Sequence, residues 1–178
     1  SADLHLSNNL SGSGGFIKTG DRTLFLHAAN SYTGPTIITA GNLVLGPQAS
    51  LASGIIQVNA GATLVVQGTA LNVGAGGKLG GNQGAITGNV VFKAGATLQT
   101  GMNDQIAGKL QLAGNLTIQT GGTNRVVVNK TLSLTNNQVA GLTSVQIGGT
   151  LAIVSKGDPL AAGDEISLFQ AASYTGAF

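Results

Sequence analysis

Short apolar or β-branched runs, each too short for a helix, alternate along the chain with corners of Gly, Asn, Ser and Pro. The pattern is sharpest from Leu24 to Gly46. There the runs 24–26, 36–39 and 43–45 are separated first by Asn30-Ser31-Tyr32-Thr33-Gly34-Pro35 and then by Ala40-Gly41-Asn42. Three strands and two corners in so short a stretch describe one coil of a solenoid better than a hairpin.

Ahead of this stretch, residues 1–15 alternate weakly at Leu4 and Leu6 and then dissolve into Ser11-Gly12-Ser13-Gly14-Gly15. They predict a flexible arm or an irregular first coil. The solenoid domain is expected over 16–178. Within it, a corner of a small residue and Gly steps repeatedly into Leu, at Leu43, Leu64, Leu79, Leu98, Leu116 and Leu151. A degenerate corner, Asn129-Lys130-Thr131, leads into Leu132. The spacings are 21, 15, 19, 18, 16 and 19, averaging 18. Recurrence near 20 residues marks a repeat architecture. The return segments Ile55-Ile56-Gln57-Val58, Val90-Val91-Phe92 and Val126-Val127-Val128 are β-branched, which argues against a helical return. The expectation is an all-β, parallel β-helix of about nine or ten coils, roughly 45 Å long at ~4.8 Å per rung. An antiparallel sandwich is the competing arrangement. It is favoured by Asn-Gly or Asp-Gly hairpin pairs, and the sequence contains neither.

Segment 151–178 changes character. It holds Asp158, Asp164 and Glu165, three of the six acidic residues. Its end, Ala172-Ser173-Tyr174-Thr175-Gly176, echoes residues 30–34.

Composition narrows the function classes. Only 8% of residues are charged, yet 42% are hydrophobic, so the chain is folded rather than disordered. The eight basic residues are scattered and not interleaved with aromatics, which gives no footprint for nucleic acid. Cysteine is absent, which removes a disulfide framework and thiol chemistry. No apolar run reaches the ~18–20 residues of a membrane span. A start at Ser1-Ala2-Asp3 without Met reads as a processed or excised piece of something longer.

Candidate chemistry is thin. His5 and His27 are the only histidines and read as surface or corner residues. A site built from His27 and Asp21 lacks a Gly-x-Ser-x-Gly nucleophile elbow. Asp164 and Glu165 are adjacent, so on a strand they face opposite sides and form no carboxylate pair. Gly74-Ala75-Gly76-Gly77-Lys78-Leu79 places Leu where a phosphate loop needs Ser or Thr. The Gly-rich corners lack the Asp of calcium-binding rolls. No catalytic, cofactor or metal residues are assigned.

The stretch 24–46 resembles the autotransporter-associated β-helix repeat, also called the passenger-associated transport repeat. Asn30, Tyr32, Thr33, Gly34, Thr36, Ile38, Ala40, Gly41, Leu43, Leu45 and Gly46 fall in its register, and only Pro35 departs. The resemblance implies a right-handed parallel β-helix in an exported protein on the surface of a Gram-negative-type cell. It carries no catalytic residues to transfer. The expected role is a stalk or self-associating fibre segment of adhesin or filament type. Its partners would be itself, end to end or laterally, the rest of a longer chain, or a host-surface protein or glycan. Tyr174 and Phe178 are the candidates for self-association. A glycan-active β-helix enzyme and a non-catalytic glycan-binding module are the alternatives.

Overall fold

The computed structural model describes residues 2–104, 107–131 and 136–178; Leu132 lies outside the described residues. The chain winds as stacked rungs. The first rung holds β1 (Leu4–Leu6) and β2 (Phe16–Lys18); the second holds β3 (Thr23–Leu26), β4 (Ala29–Asn30) and β5 (Thr36–Ile38). The third holds β6 (Gly41–Leu45), β7 (Ser50–Leu51) and β8 (Ile55–Val58). The fourth holds β9 (Ala62–Val66), β10 (Leu71–Val73) and β11 (Lys78–Gly80). In the fifth lie β12 (Ala85–Thr87), β13 (Val90–Phe92) and β14 (Thr97–Leu98). The sixth contains β15 (Lys109–Ala113), β16 (Asn115–Ile118) and β17 (Thr123–Asn129). The seventh is β18 (Gln138–Ile147) and β19 (Thr150–Lys156), and β20 (Phe169–Gly176) lies beyond it.

Corresponding strands stack into three columns, and all their pairings are parallel. One begins β1-β3-β6-β9-β12-β15. Another contains β10-β13-β16, and the third is the seven-stranded ladder β2-β5-β8-β11-β14-β17-β19. β18 pairs with β15 along its first half and β16 along its second, so it runs through two columns. This is a parallel β-solenoid, and the antiparallel sandwich is excluded.

The coil count differs from expectation. Seven strands in the third column are joined by six turns of chain, so there are about six turns and not nine or ten. At ~4.8 Å per rung that ladder is about 30 Å long, shorter than the 45 Å expected. The reason lies in the Leu series. Leu43 and Leu64 pair in the first column, Leu79 and Leu98 in the third, while Leu116 belongs to the second and Leu151 to the third. The same small-Gly-x-Leu corner serves more than one column, so its average spacing of 18 undercounts a full turn. True turn lengths follow from in-register partners: Leu4↔Leu24 is 20, Leu24↔Leu43 is 19 and Leu43↔Leu64 is 21. They lengthen to 26 at Ile86↔Leu112 and 29 at Leu110↔Val139.

Inside, like side chains lie over like. Leu24, Leu43, Leu64, Ile86 and Leu112 form one buried ladder in continuous register. Ile56, Leu79 and Leu98 form a second, and Val73, Phe92 and Ile118 a third. Strand alternation explains this: every second residue faces the axis, and its neighbour faces out. At the corner before β6 the chain reverses sharply. Gly41 has φ +64, and a Cβ there would sit 2.5 Å from the Gly20 carbonyl oxygen, so only glycine fits.

Leu64 is completely buried at the middle of its ladder. Leu64→Ala is expected to destabilise the domain by about 3 kcal/mol, read from the urea-unfolding midpoint at unchanged m-value.

Candidate interaction surface

The motif residues occupy one turn and its corners. Asn30 ends β4 with its side chain buried. Its Oδ1 accepts the Leu10 N–H at 3.0 Å, while Nδ2 donates to the Ala28 carbonyl at 2.8 Å and the Ser50 carbonyl at 3.3 Å. One side chain thus ties three successive rungs. Tyr32 is buried in the following corner, its hydroxyl 2.6 Å from Thr36 Oγ1 and its ring centroid 6.3 Å from that of Phe16. Burial pushes the Tyr32 phenol above its ordinary pKa, partly offset by the bond to Thr36. Thr33 donates its N–H to Gly12 and accepts that of Gly54, again linking three rungs. Gly34 must be glycine, because a Cβ would stand 2.5 Å from the Gly14 carbonyl group. Thr36 and Leu43 are fully buried, Ala40 and Gly41 form the next corner, and Gly46 donates its N–H to Leu26.

The outer surface is polar and regular toward the C-terminal end. Thr117, Gln146 and Thr175 are in register on one row, and Asn115, Ser144 and Ser173 on the next. Ser144 Oγ donates to Asn115 Oδ1 at 2.8 Å.

The extra length of the later turns is placed at one corner, between the third column and the first. Residues 99–104 and 107–108, residues 130–131 and 136–137, and residues 157–168 lie there. Two ion pairs fasten them. Arg125 grips Asp104 with two bonds, Nε–Oδ1 at 2.9 Å and a second nitrogen to Oδ2 at 2.6 Å, and Gln99 Nε2 donates to the same carboxylate at 2.9 Å. Lys130 Nζ lies 2.9 Å from Asp164 Oδ2, which also accepts the Ala161 N–H at 2.7 Å. Hydrogen bonding from Arg125 holds the Asp104 carboxyl below its ordinary range. The Ala161 N–H, and then Lys130, do the same for Asp164. Beneath the last loop is a shallow depression of about 240 Å³, bounded by Val128, Lys130, Leu160, Asp164, Glu165 and Ile166.

Both ends show their ladders. On the first rung Leu4, in register with the inward Leu24, is 58% exposed. At the other end Tyr174 is in register with the inward Val145 yet 55% exposed. Its surroundings differ from those of Tyr32. The Tyr174 hydroxyl donates to the Phe169 carbonyl at 3.0 Å and accepts the Ala171 N–H at 2.9 Å. Phe178, also exposed, lies with its ring centroid 6.3 Å from that of Phe169.

Asp104 and Asp164 are each paired with a cation, and among the described residues no three of His, Cys, Asp and Glu gather to hold a metal ion. No helix among the described residues is long and apolar enough to cross a membrane. Two features escaped sequence reasoning. Lys18 is buried at the end of an inward ladder, donating to the carbonyls of Thr19, Gly20 and Ala40 at 2.9, 2.6 and 3.0 Å. The second is the meeting of His5 with His27. Its signal was present: aligning Leu4-His5-Leu6 under Leu24-Phe25-Leu26 puts both histidines on one outer face.

Comparison with known proteins places this geometry. Residues 16–45 match the passenger-associated-transport-repeat family model. The Neisserial autotransporter lipoprotein NalP of Neisseria meningitidis serogroup B is 39% identical over 116 residues, covering 64% of this chain and 9% of that protein. The adhesin BmaC autotransporter of Brucella suis biovar 1 is 34% identical over 153 residues, 86% of this chain and 4% of that protein. The chain therefore spans less than a tenth of the length of the curated relatives it matches. No solved structure matches it.

Asn30→Ala removes bonds to three rungs and is expected to cost about 2 kcal/mol, measurable by thermal or urea unfolding. The two depressed carboxylates give an acid response with a definite sign. Their contribution is complete above the ordinary carboxylate range near pH 4 and is lost as pH falls through their lowered pKa values. Amide exchange at Ala161 should therefore be protected at neutral pH and lose that protection only once pH falls below the ordinary carboxylate range near 4.

Proposed function

From a chain that carries the passenger-associated transport repeat of autotransporter surface proteins, we propose a structural and adhesive role in an exported protein on the outside of a Gram-negative-type cell. The module is non-catalytic. It serves as a length of stalk, with residues 16–178 as one solenoid domain and 1–15 as its irregular first coil. The single observation that carries this reading is the unbroken parallel ladder. Backbone hydrogen bonds run along the axis through every rung, so the module resists extension in the direction in which a surface fibre is pulled.

Contacts with a host surface or with sister molecules are assigned to two places. The corner that holds residues 99–104, 107–108, 130–131, 136–137 and 157–168 is one, because insertions collected on one face of a repeat protein often form its binding face. The C-terminal rung is the other. Tyr174 and Phe178 stand exposed beside the free edge of β20, a template for end-to-end association. A glycan-binding role has support in the polar rows at Asn115, Ser144, Ser173 and Thr117, Gln146, Thr175, though aromatic stacking platforms are scarce.

The test is size measurement by light scattering over a concentration series, with negative-stain imaging. Growth into rods with concentration, reduced at least tenfold in association constant by the double variant Tyr174→Ala, Phe178→Ser, is the expected result. A compact monomer at every concentration removes self-association and leaves the stalk reading alone.

A further inference from the structure

The chain has two histidines, and the fold puts both into one contact at the end of the solenoid. His5 lies on the outer face of β1, paired in register with Phe25, and His27 follows β3 by one residue. His5 Nδ1 and His27 Nε2 are 3.0 Å apart. The rings are within 5° of parallel with centroids 5.3 Å apart, which with that short nitrogen separation means two rings edge to edge. Phe25 lies parallel to His5 at a centroid distance of 4.3 Å.

The geometry points to a proton-sensitive latch: the His5–His27 bond fastens the first rung to the second and releases it in mildly acidic surroundings. A shared hydrogen bond needs one nitrogen to donate and the other to accept. A neutral pair meets that requirement, and a pair carrying one extra proton meets it with a stronger, charge-assisted bond. When both imidazoles are protonated each nitrogen is a donor, no acceptor remains, and like charges face each other across 3.0 Å. Histidine alone among side chains ordinarily changes charge in this pH range. The bond is therefore kept by the neutral and the singly protonated pair and lost when both rings carry a proton.

Few other groups compete for the switch. Just before β1, Asp3 is two residues from His5, and its Oδ1 already accepts the Thr23 N–H at 3.1 Å. Asp21 and Arg22 stand in the turn before β3. On the far side, β6 presents Asn42 and Val44, followed by Gly46, all uncharged. The backbone bond most directly affected is His27 N–H to the Leu6 carbonyl, at 3.0 Å. Opening it would free the edge of β3 for pairing with another strand.

Hydrogen exchange followed by NMR on the whole chain tests this at pH 7.5 and 5.0, with the intrinsic pH dependence of exchange divided out. The His27 and Thr23–Leu26 amides are expected to lose protection by about tenfold at pH 5.0, as loss of one hydrogen bond together with repulsion between two facing cations implies. Amides of Ala62–Val66, deep in the stack, should stay constant. In His27→Gln the protection should no longer depend on pH, whether the neutral amide keeps the rung closed or leaves it open at both values. Equal protection of the native first rung at both pH values would overturn the latch. So would a His27→Gln protein that opens at pH 5.0 as the native chain does.

Discussion

Every rung of this protein must lay its inward side chains over those of the rung before. That is the constraint from which the remaining features follow. In a parallel stack the backbone bonds run along the axis, so a strand cannot slip by one residue without turning its apolar side to water. Leu24, Leu43, Leu64, Ile86 and Leu112 keep that register over five rungs. Corners are bound only by the need to return the chain to its column. They grow from 19-residue turns near the start to a 29-residue turn near the end without disturbing the ladder.

The constraint also decides where polar groups can be buried. A parallel coil has corner carbonyls and amides that no strand pairs, and each requires a partner. Asn30 serves three rungs at once, Lys18 gathers three corner carbonyls, and Asn137 reaches the Thr100 carbonyl and the Val127 N–H farther along. With only 8% charged residues, the chain uses amide and hydroxyl side chains for this work and reserves ion pairs for the loops that leave the stack. The loops vary in length from turn to turn, while the ladder keeps its register.

Much of this was legible in the sequence. The runs 24–26, 36–38 and 43–45 are strands, and the corners between them fall at Asn30–Pro35 and near Gly41. What misled was the Leu series. Leu64 and Leu79 belong to one turn, on different columns, so a corner motif that looks like one repeat occurs twice in a coil. Sequence spacing cannot tell which column a corner serves, because the local chemistry of a bend is the same in each. Tyr174-Thr175-Gly176 misled in a similar way. It repeats the letters of residues 32–34, yet it lies within β20, whereas residues 32–34 lie in a corner. The histidine contact and the burial of Lys18 depend on register between residues some 20 apart, which the fold fixes and which the likeness of Leu4-His5-Leu6 to Leu24-Phe25-Leu26 hints at only for the histidines.

The central claim is parallel, in-register stacking, and the absence of native cysteine makes it directly accessible to disulfide mapping. Thr23, Asn42 and Thr63 are in-register neighbours on the outer face of the first column. Cysteines at 23 and 42, or at 42 and 63, fall within the ~4.4–6.8 Å Cα separation a disulfide needs. Both pairs should close rapidly under mild oxidation in the folded protein and slowly in urea. Failure of both to close while the protein remains folded would contradict the parallel solenoid.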